Sequence, residues 1–429
     1  METEIDMIKF EAALKKVLAK ADILGIQELP VDKTIGYVLA ENIRAGYDMP
    51  LFNKSAMDGY AVHSNDLKIV PVRLKCVATI RAGESYSFRR NKRTVKKGEC
   101  VKIMTGSPLP RGTDSVVMVE YTEEDNNGWI RILKGVNPGE NVCFKGEDVK
   151  NGSVVLGKGM LIRGPEVAII SSLGITKVKV FRKPTVTILN TGDEIVEPGN
   201  KLTYGKIYNS NGHMLLSLFR DMGIKARYLG IAKDEEKILT KKIMEGFNYD
   251  IFLISGGVSM GDYDLIPAVL GKCGVKKMFH KIKIKPGKPV FFGIKENRLI
   301  FGIPGNPVST YLVFLILIKP VIDKMMGKKP DLNIRRGILK EDFKQIPGRK
   351  HFVPAKVIDK LDNPADKLDN PADKLDNPAD KRGLLKVYPV RGYHGSADIF
   401  SLSQANAFMI IDENVSLLRR NRWVNLIRW

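Results

Sequence analysis

Apolar and polar positions recur with different periods in successive regions of the chain. In residues 5–20 the apolar side chains are spaced as on one face of a helix, which predicts an amphipathic helix. Residues 71–141 contain short strand-like segments separated by turn residues, as in a small all-β domain. From Lys183 onward, apolar strands alternate with amphipathic helices, the pattern of a parallel α/β sheet. Strand-like segments return after Pro330 and predict a C-terminal β domain.

These patterns predict a multidomain protein of the α/β plus β class, since 429 residues are too many for one core. The predicted parts are a mixed linking and dimerisation region at residues 1–48 and 142–182, a small β domain at 49–141, a doubly wound α/β domain at 183–328 and a C-terminal β domain at 329–429. Three copies of LDNPADK interrupt the last part at 361–381. Their prolines exclude a continuous helix, so we expect an expanded surface loop.

Helix boundaries can also be predicted from cap residues. The segment SNGHMLLSLFRDMG predicts a helix that is N-capped by Ser210 or Asn211. A second helix should run from Pro165 and end at Gly174, which suits the left-handed conformation of a C-cap.

The stretch Ile282–Phe314 combines two loops, a buried strand and a helix start. The first loop is crowded with lysines: Lys283, Lys285 and Lys288. In the second loop Asn306 can N-cap a helix whose first residue is Pro307. Free N–H groups at such a helix start lie at the carboxyl edge of the sheet, where α/β folds bind anions. The stretch therefore predicts a phosphate or oxyanion site, the alternative being a capped turn with solvated lysines.

Acidic side chains follow three consecutive strands of the α/β region, as Asp193/Glu194, Asp234 and Asp262/Asp264. Gly256 and Gly257 follow a strand as well and allow backbone amides to approach a ligand closely. Because the carboxyl ends of parallel strands meet at one edge, we expect these groups and the lysines to converge on one ligand site.

Three further loops carry polar groups outside the α/β region. Asp58 lies on an Asp-Gly turn beside the apolar Met57, which a simple solvent-exposed turn would not need. Thr105–Ser107 offers hydroxyls and amides to an anion, the alternative being a rigid surface loop. Glu147–Asp148 follows a glycine; such acid pairs are usually solvated, but they also suit magnesium.

The formal net charge of +21 is compatible with polyanionic ligands, nucleic acid or an anionic membrane. However, the basic residues are dispersed and no aromatic-interleaved signature of nucleic-acid binding is present. The longest apolar run, Tyr311–Ile318, is too short to span a bilayer, and the acidic N-terminus does not resemble a signal peptide. We therefore expect neither nucleic acid nor a membrane as partner.

The four cysteines are widely separated in sequence, at Cys76, Cys100, Cys143 and Cys273. None forms a CxxC pair, so we expect neither a zinc site nor a redox dithiol. Widely spaced thiols in a chain of this length indicate a reducing cytoplasm.

Seven motifs occur together in an order that resembles the molybdopterin molybdotransferase family, which includes MoeA and the E domain of gephyrin. They are PLFNKSAMDGYAV, KIMTGSPLPRGTDSVVMVE, KGEDV, NTGDEIVEPG, SGGVSMGDYD, KPGKP and PGNPVS. The resemblance implies an elongated, dimeric four-domain subunit whose α/β domain binds molybdopterin. It also implies a reaction in which molybdate is inserted into the dithiolene of adenylylated molybdopterin and AMP is released, with Mg²⁺ assisting. Tungstate remains an alternative to molybdate, and transient contact with the adenylyltransferase and apo-molybdoenzymes is expected.

The resemblance also assigns roles to residues, motif by motif. Catalytic roles fall to Asp58, Asp148, Glu194 and Asp264. Substrate binding falls to Thr105, Asp234, Lys285, Lys288, Pro304, Pro307 and, as a looser match, Ser396. Gly256, Gly257 and Asn306 are further candidates for substrate binding from the loop patterns described above. The family's site lies between two subunits, so Asp58 would act across the dimer. Glu194 and Asp264 are the candidate Mg²⁺ ligands, although either could instead take the proton of an attacking water.

Two other functions remain open from the sequence. A molybdopterin adenylyltransferase would use the same α/β module, but as a single-domain activity it would not need Asp58 or the C-terminal β domain. A gephyrin-like binding scaffold is the other alternative, although no partner-binding motif is visible.

Overall fold

The computed structural model describes residues 7–81, 83, 94–125, 127–258, 265–359 and 385–429. Asp262, Asp264, the LDNPADK repeats and the first residues of the predicted N-terminal helix lie outside these ranges. The chain forms two compact units. The first unit consists of Met1–Ala40, Gly159–Arg163 and Lys177–Trp429, and the second of Glu41–Lys158 and Gly164–Thr176. The division into four parts stays a prediction.

A six-stranded sheet forms the centre of the second unit. Its strands are β1 (Gly59–Val62), β2 (Val72–Ile80), β3 (Glu99–Ile103), β4 (Ser115–Met118), β5 (Thr122–Glu124) and β6 (Trp129–Ile132). They lie in the order β4-β1-β3-β2-β6-β5, with β2 and β3 parallel and the other pairs antiparallel. The small all-β region that the sequence predicts is thereby confirmed.

Short ladders and one helix complete the second unit. Lys54–Ser55 pairs with Val142–Cys143, and Ile43–Arg44 pairs with Val154–Leu156. The helix spans Gly164–Ser172 and is followed by Gly174 at φ +73°, as the sequence predicts.

The α/β part of the first unit is built on a second six-stranded sheet. Its strands are β7 (Val186–Thr191), β8 (Ala226–Ala232), β9 (Ile251–Ser255), β10 (Lys276–Lys281), β11 (Pro289–Lys295) and β12 (Arg298–Ile303). They lie in the order β8-β7-β9-β12-β11-β10. The sequence predicts a parallel sheet, and this prediction is wrong for one strand. Strand β11 is antiparallel to both of its neighbours. Only Glu296 and Asn297 connect β11 to β12, and such a two-residue hairpin requires antiparallel strands.

Helices cover both faces of this sheet. They are α1 (Ser210–Asp221), α2 (Glu236–Gly246), α3 (Ile266–Lys272) and a continuous helix made of Pro307–Val313, a π-turn at Phe314–Ile318 and Lys319–Met325. The cap of α1 differs from the prediction: the side chain of Asn209, one residue earlier than expected, accepts the Gly212 N–H at 3.0 Å. The N-terminal helix spans Phe10–Lys20 and packs its apolar face into the same core.

The C-terminal strands close into a barrel. They are β13 (Ile334–Leu339), β14 (Lys350–Ile358), β15 (Lys386–Pro389), β16 (Ala407–Ile411) and β17 (Trp423–Arg428). The ring closes because β14 pairs with β15 at one end and with β16 at the other. The predicted C-terminal β domain is confirmed, and its closure removes the edge strands that an open sheet would expose.

Further short pairs lie outside these sheets: Ile26–Pro30 with Lys177–Phe181, Ile195–Val196 with Ile207–Tyr208, and Phe343–Lys344 with Leu417–Leu418. The short strand Ile284–Lys285 joins the C-terminal sheet alongside β14. In the described part of the chain, no helix is long and apolar enough to cross a bilayer.

Candidate functional site

Five loops meet at one edge of the α/β sheet. The segments after β7, β8, β9 and β12 lie at the carboxyl ends of parallel strands. The lysine loop joins β10 to β11, and because β10 runs in the same direction as β12, this loop reaches the same edge. The topology therefore collects acidic, glycine-containing and basic loops along one side of the sheet.

The acidic loops after β7 and β8 touch each other. The Asp234 N–H donates to Asp193 Oδ1 at 3.4 Å, and Lys206 Nζ donates to the Asp193 carbonyl oxygen at 2.6 Å. Glu194 is exposed, and its carboxylate lies so near Gly192 that a Cβ there would be 2.6 Å from Glu194 Oε2. The edge thus carries at least two exposed or half-exposed carboxylates; Asp264 lies outside the described residues.

Glu197, which the sequence reasoning missed, anchors the loop after β7. It accepts hydrogen bonds from the Tyr228 hydroxyl, from Asn209 Nδ2 at 3.0 Å and from His213 Nε2 at 3.0 Å. Burial alone would raise the pKa of Glu197, but these hydrogen bonds outweigh burial and lower that pKa. The bonds tie the loop to β8 and α1. The signal in the sequence that could have identified Glu197 is that it is the third acidic residue of the TGDEIVEPG motif.

Gly256 and Gly257 make a tight turn at the end of β9, with φ of +99° and +63°. A Cβ on Gly256 would overlap the Thr191 carbonyl oxygen, so only glycine fits there. The Gly256 N–H donates to the Ile303 carbonyl at 3.2 Å. The N–H of Gly256 therefore already has a hydrogen-bond partner in the backbone.

The turn after β12 places Asn306 and Pro307 at the helix start, as predicted, but the Val308 N–H in the first turn is not free. Asn306 does not cap the helix with its side chain; its Nδ2 donates to Ser396 Oγ at 2.7 Å. The Val308 N–H donates to the Ser396 carbonyl at 3.1 Å. Pro304 holds the turn from inside, since its carbonyl accepts from Thr310 Oγ1 at 2.6 Å. Two bonds thus fix Ser396 at the sheet edge.

The three lysines of the lysine loop differ in exposure and in their partners. Lys283 Nζ lies 3.8 Å from Glu413 Oε2, whereas Lys285 is exposed and Lys288 is half-buried. Lys285 lies directly opposite His351 in the parallel pair that Ile284–Lys285 makes with β14.

His351 is a second residue that sequence reasoning missed. Its Nδ1 lies 2.7 Å from Gln345 Oε1, which assigns the proton to Nδ1 because a carbonyl oxygen can only accept. Burial, with the charges of Lys285 and Arg349, lowers the pKa of His351 to about 4. The ring is therefore neutral at neutral pH and adds no charge beside Lys285. No motif marks this residue in the sequence.

Buried polar atoms without hydrogen-bond partners lie behind the same edge. Among the described residues they include both amide atoms of Asn190, Thr191 Oγ1 and Asn211 Oδ1. Asn211 is oriented by its other amide atom, which donates to the Gly305 carbonyl at 2.6 Å. A buried polar group left unpaired costs about 1–3 kcal/mol, so this lining suits a polar ligand.

In the second unit the structure brings Asp58 and Thr105 together. Both the N–H and the hydroxyl of Thr105 donate to Asp58 Oδ1 at 2.7 Å. These bonds, first the one from the N–H, hold the pKa of Asp58 below its ordinary value. Asp148 is exposed on its own loop, where its N–H donates to the Met49 carbonyl at 3.0 Å.

The carboxylates at this edge of the sheet fit Mg²⁺ only as part of a site that a phosphate ligand shares. Within the described ranges no three His, Cys, Asp or Glu side chains gather to hold a metal. Magnesium, however, is commonly held by one or two carboxylates together with substrate phosphates and water. Asp193 and Glu194 on the loop after β7, with Asp234 on the adjoining loop, can supply such carboxylates. The edge suits a cation shared with a phosphate ligand and does not form a complete protein cage.

Three family models match the sequence. They are the MoeA N-terminal region (domain I and II) over residues 8–174, the probable molybdopterin binding domain over 187–324 and the MoeA C-terminal region (domain IV) over 374–429.

Curated relatives and solved structures agree with these matches. A molybdopterin molybdenumtransferase of Staphylococcus epidermidis is 33% identical over 81% of this chain and 83% of its own length. That of Haemophilus influenzae is 35% identical over 79% and 85%. The crystal structure of the molybdopterin biosynthesis MoeA protein from Pyrococcus horikoshii matches with a TM-score of 0.77 and 29% identity, covering 99% of this chain and 100% of that one.

Proposed function

This chain belongs to the MoeA family of molybdopterin molybdenumtransferases, and from that membership we propose the reaction that it catalyses. The family supplies the coarse function, a transferase of molybdenum cofactor biosynthesis. The proposed reaction inserts molybdate into the dithiolene of adenylylated molybdopterin and releases AMP. Tungstate is the alternative metal substrate, and we propose a cytoplasmic homodimer.

The observation that carries this proposal is the distribution of charge along the carboxyl edge of the α/β sheet. Acidic loops follow β7 and β8 at one side, and the lysine loop before β11 lies at the other. The proposed substrates are polyanions, so lysine side chains attract them. Carboxylates repel the same anions unless a cation lies between the two negative groups. An edge with both signs therefore suits a phosphorylated substrate that is held with Mg²⁺.

Individual residues then have distinct tasks. Lys285 is exposed at the edge and can bind a phosphate or metalate oxygen. The Ser396 hydroxyl, fixed by Asn306, provides a polar contact on the neighbouring loop. Gly256 and Gly257 have no side chains of their own, which allows a ligand to approach the backbone of this turn closely.

Release of AMP requires water to attack the adenylyl phosphorus while the bond to the pterin phosphate oxygen breaks. The water proton must pass to a base, and the exposed Glu194 carboxylate is the described residue that we assign to it. When bound, Mg²⁺ offsets the negative charge of the phosphate oxygens, and Glu194 would be one of its ligands instead if Asp264 is the base. Asp58, ionised and held by Thr105, is a further catalytic carboxylate in this proposal.

The role of Lys285 can be tested in a purified reconstitution. Lys285→Ala should reduce activation of an apo-molybdoenzyme by about 100-fold, because one charge-assisted contact to an anionic substrate is lost. Adenylylated molybdopterin, molybdate and Mg²⁺ are supplied, and recovered molybdoenzyme activity is measured. Lys276→Ala is the matched control, since Lys276 is an exposed lysine at the start of β10, far along the strand from the edge. Equal activity of both variants would contradict the proposed site.

A further inference from the structure

Two cysteines that are distant in sequence face each other in the sheet of the second unit. Cys76 on β2 lies directly opposite Cys100 on β3 in the parallel pair. Both side chains contribute to the same apolar cluster, so they lie on one face of the sheet. Neighbouring strands are about 4.8 Å apart, and a disulfide spans Cα separations of about 4.4–6.8 Å. The wide separation of these two cysteines in sequence therefore does not keep them apart in the fold.

The two thiols differ in exposure and acidity. Cys100 is fully buried, whereas Cys76 is only partly buried. A hydrogen bond with Cys100 lowers the pKa of Cys76 to about 6, and the same bond, with burial, raises the pKa of Cys100. Cys76 is therefore largely a thiolate at neutral pH, the form that attacks disulfides, while Cys100 retains its proton.

We propose that Cys76 and Cys100 are a redox-active pair that closes to a disulfide within the sheet. The Cys76 thiolate attacks one sulfur of a low-molecular-weight disulfide, whose S–S bond breaks and releases one thiolate. Cys100 then passes its proton to that thiolate and attacks Cys76 Sγ, which expels the second thiolate. Two electrons leave the protein thiols and reduce the small disulfide, so the exchange is balanced.

The position of the pair connects it with the site in the second unit. Strand β3 carries Cys100 and ends at Ile103, two residues before Thr105. Thr105 in turn holds Asp58 through both its N–H and its hydroxyl. A bond between β2 and β3 would therefore fix the strand that leads to this contact.

The full-length protein, incubated with oxidised glutathione, tests the proposal. Thiols that remain free are alkylated, and the digest is examined by mass spectrometry under non-reducing conditions. The expected product is a linked peptide pair that joins Cys76 to Cys100, with Cys143 and Cys273 still alkylated. Burial raises the pKa of both Cys143 and Cys273, so Cys143→Ser and Cys273→Ser are matched controls that should leave the cross-link unchanged.

Single variants separate the two roles. In Cys100→Ala the resolving thiol is missing, so Cys76 should accumulate a mixed disulfide with glutathione at least ~10-fold above wild type. In Cys76→Ser, which changes a partly exposed position, Cys100 should stay unmodified. The proposal is wrong if wild-type protein retains four alkylatable thiols, or if it ends with glutathione on Cys76 and no link to Cys100.

Discussion

Asp250 illustrates how a single carboxylate organises the end of the α/β sheet opposite to the ligand edge. It accepts from both guanidinium nitrogens of Arg182, at 2.8 and 3.0 Å, and from the N–H of Thr185 at 2.7 Å and its hydroxyl at 2.8 Å. Burial would raise the pKa of Asp250, but these bonds outweigh burial and lower it. The residue therefore ties the segment before β7 to the start of β9.

Asp250→Asn should lower the free energy of unfolding by about 2 kcal/mol at pH 7, because charge-assisted bonds to Arg182 are lost. A carboxyl whose pKa is lowered on folding stabilises the protein above its unfolded pKa, near 3.8, and loses that contribution as the pH falls through the folded value. Urea denaturation of both proteins should thus show a difference that shrinks below about pH 4.

Asp22→Asn is the control, since Asp22 is an exposed acid of the same unit. It should change the free energy of unfolding by less than about 0.5 kcal/mol. A difference between wild type and Asp250→Asn that grows towards low pH would contradict the assigned role.

Contacts between individual side chains were the hardest features to predict from the sequence. Cys76 and Cys100, or Lys285 and His351, become neighbours through strand register, which no local pattern encodes. Asp58 and Thr105 were both predicted as site residues, but their mutual hydrogen bonds follow only from the packing of two loops.

For helices and strands, the sequence predicted the type of each element better than it predicted strand direction or the residue at which a helix begins. Apolar strands alternating with amphipathic helices correctly indicated the α/β region, because that period reflects burial on both faces of the sheet. The antiparallel β11 was missed, since a buried strand has the same apolar pattern in either direction. Asn209 was missed as a cap because three neighbouring residues, Asn209, Ser210 and Asn211, all have suitable side chains.

The LDNPADK insertion connects two antiparallel strands, β14 and β15, which pair at Ile358 and Lys386. Deleting residues 361–381 would shorten this connection about fourfold and leave a loop long enough for a hairpin. Because loop closure costs about 0.6 kcal/mol per doubling of length, we expect the deletion to raise the free energy of unfolding by about 1 kcal/mol. Urea denaturation checks this, and reconstituted activity should stay near wild type.

Because β14 and β15 pair with each other on either side of the insertion, its deletion is a specific test of a tolerant loop. A folded deletion protein without activity would instead show that the repeats take part in the function.

At the scale of the whole molecule, the ordered motifs identified the family, and the comparisons confirmed it. The fold class followed as well, because the three kinds of pattern occupy separate regions of the chain. Closure of the C-terminal barrel did not follow, since it depends on β14 pairing with two partners far apart in sequence. The excess of basic charge, +21 over the chain, agrees with polyanionic substrates but could not specify them.

In the proposed reaction, cleavage of the adenylyl group accompanies insertion of the metal. This coupling is tested most directly by a single-turnover measurement of AMP release from adenylylated molybdopterin, with and without molybdate and in the presence of Mg²⁺. We expect AMP release that depends on molybdate and matches, mole for mole, the molybdenum found in the dithiolene. Release at the same rate and extent without molybdate, or consumption of ATP without metal insertion, would contradict it.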